Sequence, residues 1–293
     1  MTLIRFEIFQ TVVDCGSLTK AGNILNLTQS GISHAIASLE NEIGFSLLNR
    51  GKSGISLTEN GEQILKYIRE ILLLNEKMMQ EAAAINGMET GTVRIGTFSS
   101  VSAQWLPYII KQFQDHHPNI DTKLFEGDYL TLEQELLNGE VDCAFLSLPT
   151  VKSLNVVQIK KDKMLCIVSD QHPLHNAERI SFKQLEKESL IMPKKEWGSE
   201  IEQVFKKNNI KPNVKFEVSE DQTILAMVQN NLGISIRPEM TLSSLPANIR
   251  VLNLETDAYR FIGIASKPNA SPAAKKFIEC AYSSLNALNL VDV

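Results

Sequence analysis

Residues 29–43 carry two faces with opposite demands. Ile32, Ile36, Leu39 and Ile43 recur at helical spacing and call for burial. Gln29, Ser30, Ser33, His34 and Ala37 fall on the other side, where short side chains supply donors and acceptors. Thr28 stands at an N-cap position and Gly44 at a left-handed C-cap, so this helix has a defined start and stop. Two shorter helices precede it. Leu3, Phe6, Phe9, Val12 and Val13 share one face, Gly16 ends that helix, and Ser17 caps a second with Ala21, Ile24 and Leu25 inward. Gly22 costs about 1 kcal/mol against Ala inside a helix, which is tolerable where two helices approach closely. Such a trio presents its third helix to the DNA major groove, where Gln pairs with adenine and Ser makes a short, versatile contact.

A hairpin follows. Phe45 and Leu47-Leu48 form a short strand, Arg50-Gly51-Lys52-Ser53-Gly54 a tight turn, and Ile55-Ser56-Leu57 the return, giving a wing with a basic tip. Bulk charge adds nothing to this reading. The chain is −5 overall, and Arg5, Lys20, Arg50 and Lys52 are matched by Glu7, Asp14, Glu40 and Glu42 within residues 1–58. Nucleic-acid binding must therefore rest on pattern and geometry. The DNA contacts expected are Thr28, Gln29, Ser30, Ser33, His34, Arg50 and Lys52.

Thr58 opens a long helix reaching about Asn86. Ile64, Ile68, Ile71, Asn75, Met78, Ala82 and Ile85 alternate four and three apart, a coiled-coil seam that Leu65, Leu72 and Met79 widen. A helix of about 28 residues spans roughly 42 Å and calls for a partner. A second copy of the chain fits, with Ile64, Ile68, Ile71, Asn75 and Met78 as dimerisation residues and Asn75 setting register. Gly87 to Gly91 reads as a hinge.

From Thr92 onward strands and helices alternate, which predicts an open, mainly parallel α/β sheet. Val141–Leu146 is a continuous apolar strand. Capping boxes are expected at Thr131-x-x-Gln134, Ser181-x-x-Gln184, Ser199-x-x-Glu202 and Ser219-x-x-Gln222, and Ser271-Pro272 opens a last helix. Ligands bind such sheets at strand C-termini.

Many of these residues stand in a known pattern. The run Gly16-Ser17-Leu18-Thr19-Lys20-Ala21, then Leu25-Asn26-Leu27-Thr28-Gln29-Ser30-Gly31-Ile32-Ser33, then Leu48-Asn49-Arg50 and Leu57-Thr58-Glu59, resembles the N-terminal signature of LysR-type transcriptional regulators. Leu106-Pro107, His117-Pro118, Gly139-Glu140-Val141-Asp142, His172-Pro173-Leu174 and Asn231-Leu232-Gly233-Ile234 extend the resemblance through the second half. It departs at Ser30-Gly31, at His34 where arginine is common, and at Ser53 where a basic residue is common.

The resemblance implies a winged helix-turn-helix over 1–58, a linker helix and hinge over 59–90, and an effector-binding domain over 91–293. That domain would be akin to the periplasmic binding proteins, with Rossmann-like subdomains over 91–161 plus 267–293 and over 162–266. It implies a homodimer or homotetramer on promoter DNA bearing an interrupted inverted repeat, with RNA polymerase as a further partner. Carried over position by position, the effector cleft would draw on Ser99, Ser100, Val101, Glu126, Asp128, Ser147, Leu148, Pro193, Lys194, Trp197, Ser219 and Ile236. Serines at a helix start suit an organic acid or an amino acid.

Other functions find less support. GxSxG, HExxH, P-loop and GxGxxG motifs are absent, so no enzyme is expected, and no metal or cofactor. No apolar run approaches the roughly 18–20 residues that span a bilayer. The opening residues lack a signal-peptide core, so a cytoplasmic location is expected. A solute-binding protein without a DNA role would not need residues 1–58. A redox-responsive regulator would need paired thiols, whereas Cys15, Cys143, Cys166 and Cys280 are far apart in sequence, with Cys143 and Cys166 in apolar runs.

Overall fold

The computed structural model describes residues 2–51, 54–194 and 199–292. The chain divides into two compact units, one comprising the residues up to Gly91 with Asn138–Glu140, the other Thr92–Leu137 with Val141 onward.

The first unit opens with three helices, α1 (Leu3–Cys15), α2 (Leu18–Leu25) and α3 (Gln29–Ile43). Their ends follow the expected chemistry. Gly16 adopts φ 63° and Gly44 φ 94°, both left-handed. Ser17 Oγ accepts from the Lys20 N–H at 3.3 Å, and Thr28 Oγ1 accepts from the Gly31 N–H at 3.1 Å. Phe9, Val12, Ala21, Ile32, Ile36 and Leu39 are fully buried together. Two details differ from the sequence reading. Leu3 and Ile24 are exposed, and Ile8 is buried instead. The eight-residue α2 is too short to bury more than one narrow side, and it presents Ala21 and Gly22 there.

Gly22 has a physical reason. A Cβ at this position would lie 2.6 Å from the Leu27 carbonyl oxygen, in the turn that carries α2 into α3. Gly22→Ala is expected to cost about 1–3 kcal/mol through overpacking. Urea unfolding of the first unit, followed by far-UV circular dichroism, would show the lowered midpoint. An unchanged midpoint would mean that the turn yields freely.

Strands β1 (Leu48–Gly51) and β2 (Gly54–Leu57) pair antiparallel from Leu48↔Leu57 to Gly51↔Gly54. Pairing therefore continues to Gly51 and Gly54, within the stretch expected to turn, while Lys52 and Ser53 lie outside the described residues. Glu40 Oε1 accepts from the Leu47 and Leu48 N–H groups at 2.8 and 3.2 Å, tying the end of α3 to the wing.

Helix α4 (Glu59–Ile85) starts at Thr58, whose Oγ1 accepts from Gly61 N–H at 2.9 Å. Its expected seam splits in two. Ile68 is buried and Ile64 half-buried against the winged-helix core, alongside Leu65 and Leu72. The outward apolar row is Tyr67, Ile71, Leu74, Met78 and Ile85, with Glu81 between the last two. That row keeps a four-three spacing and shares Ile71, Met78 and Ile85 with the expected seam, while Tyr67 and Leu74 take the places expected of Ile68 and Asn75. Asn75 is half-buried beside it. The first turns of α4 belong to the core of their own unit, and this rotates the free face.

The second unit is built on a mixed sheet of order β4-β3-β5-β12-β6-β11-β7, with β10 also on β6. The strands are β3 (Gly91–Thr97), β4 (Ile120–Glu126), β5 (Cys143–Leu148), β6 (Asn155–Ser169), β7 (Arg179–Ile180), β10 (Ser235–Pro238), β11 (Ile249–Leu254) and β12 (Tyr259–Ser266). A separate parallel pair joins β8 (Ser189–Pro193) to β9 (Asn213–Val218). The mainly parallel sheet expected is thus corrected. β12 runs antiparallel to both β5 and β6, and β10 and β11 run antiparallel to β6. The long strand β6 explains the change. Up to Lys163 it pairs with β12, and from Met164 onward with β10 and β11, so one strand serves two halves.

Each half has its own core. Phe98, Trp105, Ile109, Phe113, Phe145 and Phe277 fill the first, under helices α5 (Ser99–Gln104), α6 (Leu106–His116), α7 (Tyr129–Asn138) and, later in the chain, α11 (Pro272–Ala287). In the second, alternation along β6 sends Met164, Cys166 and Val168 to one face and Leu165 and Ile167 to the other, and both faces are buried. Helices α8 (Phe182–Leu185), α9 (Ser199–Lys207) and α10 (Asp221–Gln229) complete it.

Of the expected capping boxes, the one at Ser181 and Gln184 is complete. The one at Thr131 is replaced, because α7 begins at Tyr129 and the Asp128 carboxylate accepts from Thr131 N–H at 2.9 Å. At Ser219 the cap position passes to Glu220, which makes no side-chain cap bond. The Ser199 side chain lies outside the described residues.

Candidate functional site

Two surfaces bring expected site residues together. The first is the outward side of α3. Thr28, Gln29, Ser30 and His34 are exposed along it, and Ser33 is half-buried at its edge. The inward side carries the fully buried Ile32, Ile36 and Leu39, so the outward orientation is fixed by packing rather than by charge. The Thr28 hydroxyl is engaged at the cap and lies 3.1 Å from Ser30 Oγ. Arg50 pairs its backbone with Ile55 in the wing. The Arg50 side chain, Lys52 and Trp197 lie outside the described residues. An exposed row of amide, hydroxyl and imidazole groups on a helix of this diameter fits a major groove about 12 Å wide.

The second surface is a cleft in the second unit, where the C-terminal end of β4 and the start of α5 face α10 and the turn after β10. A cavity of about 530 Å3 opens there, lined by Ser99, Ser100, Glu126, Ser219, Glu220 and Asp221 among others. Binding pockets for small molecules typically occupy about 300–1,000 Å3. Four expected cleft residues, Ser99, Ser100, Glu126 and Ser219, are in this wall.

Others are elsewhere. Val101 and Ile236 are fully buried in the two cores. Asp128 is engaged in the cap of α7. Ser147 and Leu148 are half-buried in β5 and pair with Ile262 and Phe261. Pro193 is buried at the end of β8, and Lys194 is exposed just beyond it, its N–H donating to Val218 O at 3.1 Å.

Behind the cavity is a polar network that sequence reasoning missed. Arg260, on β12, is fully buried. It donates from Nε to Asp162 at 3.2 Å, from one terminal nitrogen to Asp162 at 2.5 Å and to Ser100 Oγ at 3.2 Å, and from the other to Tyr129 Oη at 2.8 Å. Asp162 also accepts from the Met240 N–H at 3.1 Å. Burial pushes the Tyr129 phenol up, so its ring keeps its proton and its oxygen accepts from Arg260. A second pair, Arg237 to Asp221, stands beside the first, and Ser99 Oγ donates to Asp221 at 3.4 Å. Gln104 reaches the Met240 carbonyl. The cavity between these groups is only about 20 Å3, room for a water or two. A signal for part of this network existed: Arg237 and Arg260 each interrupt a largely buried strand, whereas Asp162 is masked by the charged run Lys160-Lys161-Asp162-Lys163.

Two of the four thiols are sealed from solvent. Cys143 and Cys166 are fully buried, belong to separate cores, and have thiols pushed up by desolvation. Burial also raises the Cys280 thiol, in α11. No described helix is long and apolar enough to cross a membrane.

Comparison with known proteins matches this architecture. Residues 3–62 fit the family described as bacterial regulatory helix-turn-helix protein, lysR family, and residues 86–285 fit the LysR substrate binding domain. The chain is 36% identical over 292 residues to an uncharacterised HTH-type transcriptional regulator, YvbU, of Bacillus subtilis, covering 98% of this chain and 100% of that one. Among solved structures it is similar to a full-length OxyR from Pseudomonas aeruginosa, with a TM-score of 0.80 at 22% identity, covering 99% of this chain and 96% of that chain. It is also similar to full-length CbnR complexed with its target DNA, with a TM-score of 0.69 at 21% identity, covering 97% of this chain and 100% of the other.

Proposed function

The chain belongs to the LysR family of transcriptional regulators, and on that premise we propose that its α3 face reads promoter DNA as one half of a dimer while its cleft receives a small-molecule effector. The protein is a regulator of transcription, not an enzyme. The observation that carries the DNA reading is the outward face of α3, where Gln29, Ser30 and His34 are exposed above a fully buried apolar face. CbnR, a structural relative, is bound to its target DNA in its crystal structure. Two copies joined through α4 would meet the two arms of an inverted repeat. Its place of action is the cytoplasm, with the promoter.

Effector binding acts by differential affinity. A ligand that prefers one closure of the cleft shifts the population toward that closure, and operator binding reads the shift. Dedicated redox control is disfavoured by the two buried thiols in separate cores.

Selection of bound fragments from a random DNA pool tests the reading, and enrichment of an interrupted inverted repeat is the expected result. On the selected operator, Gln29→Ala and Ser33→Ala should each lower discrimination against random DNA by about 1–3 kcal/mol. Lys52→Ala should weaken both kinds of DNA alike and reduce the salt slope by about 1. Fluorescence anisotropy across a salt series separates the two patterns. Undiminished discrimination in the α3 variants would remove this face from the contact.

A further inference from the structure

The cleft has an uneven charge. Around the cavity of about 530 Å3 the charged side chains are Glu126, Glu220 and Asp221, and no Lys, Arg or His is among its described lining. Asp221 is engaged by Arg237 and Ser99. Glu126 and Glu220 have no ion-pair partner among the described residues. They come from opposite walls, Glu126 at the end of β4 and Glu220 at the N-cap of α10. Ser219, Ser243 and Ser244 add hydroxyls around them.

The arginines of the cleft do not reverse this balance. Arg260 directs Nε and both terminal nitrogens to Asp162, Ser100 and Tyr129, and Arg237 is held by Asp221. Both face the cavity of about 20 Å3, which is too small for a carboxylate-bearing metabolite. The Ser100 hydroxyl, expected to meet an organic acid, is buried and accepts from Arg260. An anion in the larger cavity would meet two unneutralised carboxylates. A bare metal ion fits no better, because no group of three or more His, Cys, Asp or Glu is placed to hold one among the described residues.

We infer that this cleft takes a small hydroxylated amine in its cationic form, its ammonium held between Glu126 and Glu220 and its hydroxyls met by the serines. This rests on the effector reading of the cleft and specifies its ligand chemistry. The ammonium supplies donors to both walls at once, so the ligand favours their approach.

The test uses the full chain and two hexopyranoses of similar size and opposite charge, glucosamine and glucuronate, in calorimetric titrations. Glucosamine should bind and glucuronate should not. Glu126→Gln and Glu220→Gln should each weaken glucosamine roughly ten- to a hundredfold, the loss expected of a hydrogen bond to a charged group. The unliganded melting temperature should stay put in both variants. Glucuronate binding in place of glucosamine would overturn the ligand class while leaving the effector reading intact. Glucosamine binding that ignores both substitutions would overturn the assigned walls, and silence from both sugars would overturn the proposal. Operator affinity in the same samples keeps these failures distinct from a failure of the DNA reading.

Discussion

Arg260→Ala is expected to destabilise the second unit by about 3–5 kcal/mol, the cost of stranding one member of a buried ion pair. Asp162 is fully buried, and without the guanidinium its carboxylate keeps, among the described residues, only the Met240 N–H. Tyr129 and Ser100 lose their partner in the same step. For a unit of this size each kcal/mol moves the midpoint by about 2–4 °C, so the melting temperature should fall by roughly 6–20 °C. Differential scanning fluorimetry of the full chain reads this directly. The informative control is the double variant Arg260→Met with Asp162→Leu. Replacing a buried pair by packed apolar side chains is often neutral or stabilising by about 1–4 kcal/mol, so the double variant should regain most of the loss. A single variant that melts with the parent would mean that Asp162 is protonated or hydrated in the fold.

The second large effect concerns assembly. Leu74→Glu with Met78→Glu places two carboxylates in the outward row of α4, at positions that are each 60% exposed in the isolated chain. They are not needed for the winged-helix core, which takes Ile68 and Leu65 instead. The variant should therefore fold normally and elute as a monomer in light-scattering chromatography. Linked binding modules gain about 10²–10⁴ over single ones, so operator affinity should fall by a factor of that order. A dimer with parental affinity would place the subunit interface elsewhere.

The sequence made some of this architecture legible and concealed the rest for identifiable reasons. The faces of α3 could be read because Ile32, Ile36 and Leu39 are spaced at the helical period and all three are buried. The caps at Ser17, Thr28, Thr58 and Ser271 were visible because N-capping is a local interaction across three residues. Of the expected α4 seam, Ile71, Met78 and Ile85 are exposed, whereas Ile64 and Ile68 are taken by the winged-helix core. Periodicity finds an apolar stripe but does not say which part of it the chain's own core consumes. The ion pair of Arg260 with Asp162 was not legible at all, since its members are separated by 98 positions. So was the charge of the cleft, which depends on Glu126 and Glu220 being brought to one cavity.

The shared strand β6 also bears on the order in which the protein can be made. The first half of the second unit needs β12 between β5 and β6, and α11 in its core. Both are synthesised after the whole of the other half. Between Leu148 and Tyr259 the ribosome adds about 110 residues, which takes roughly 5–20 s at bacterial to eukaryotic elongation rates. During that interval β5 has an unfilled edge beside it. The second half, contiguous from Met164 to Leu254, can close on the ribosome first. Nascent chains stalled with residues up to Leu254 outside the ribosomal exit tunnel and Tyr259 still inside it would then protect the later-encoded half from protease while the earlier-encoded one is still being cut.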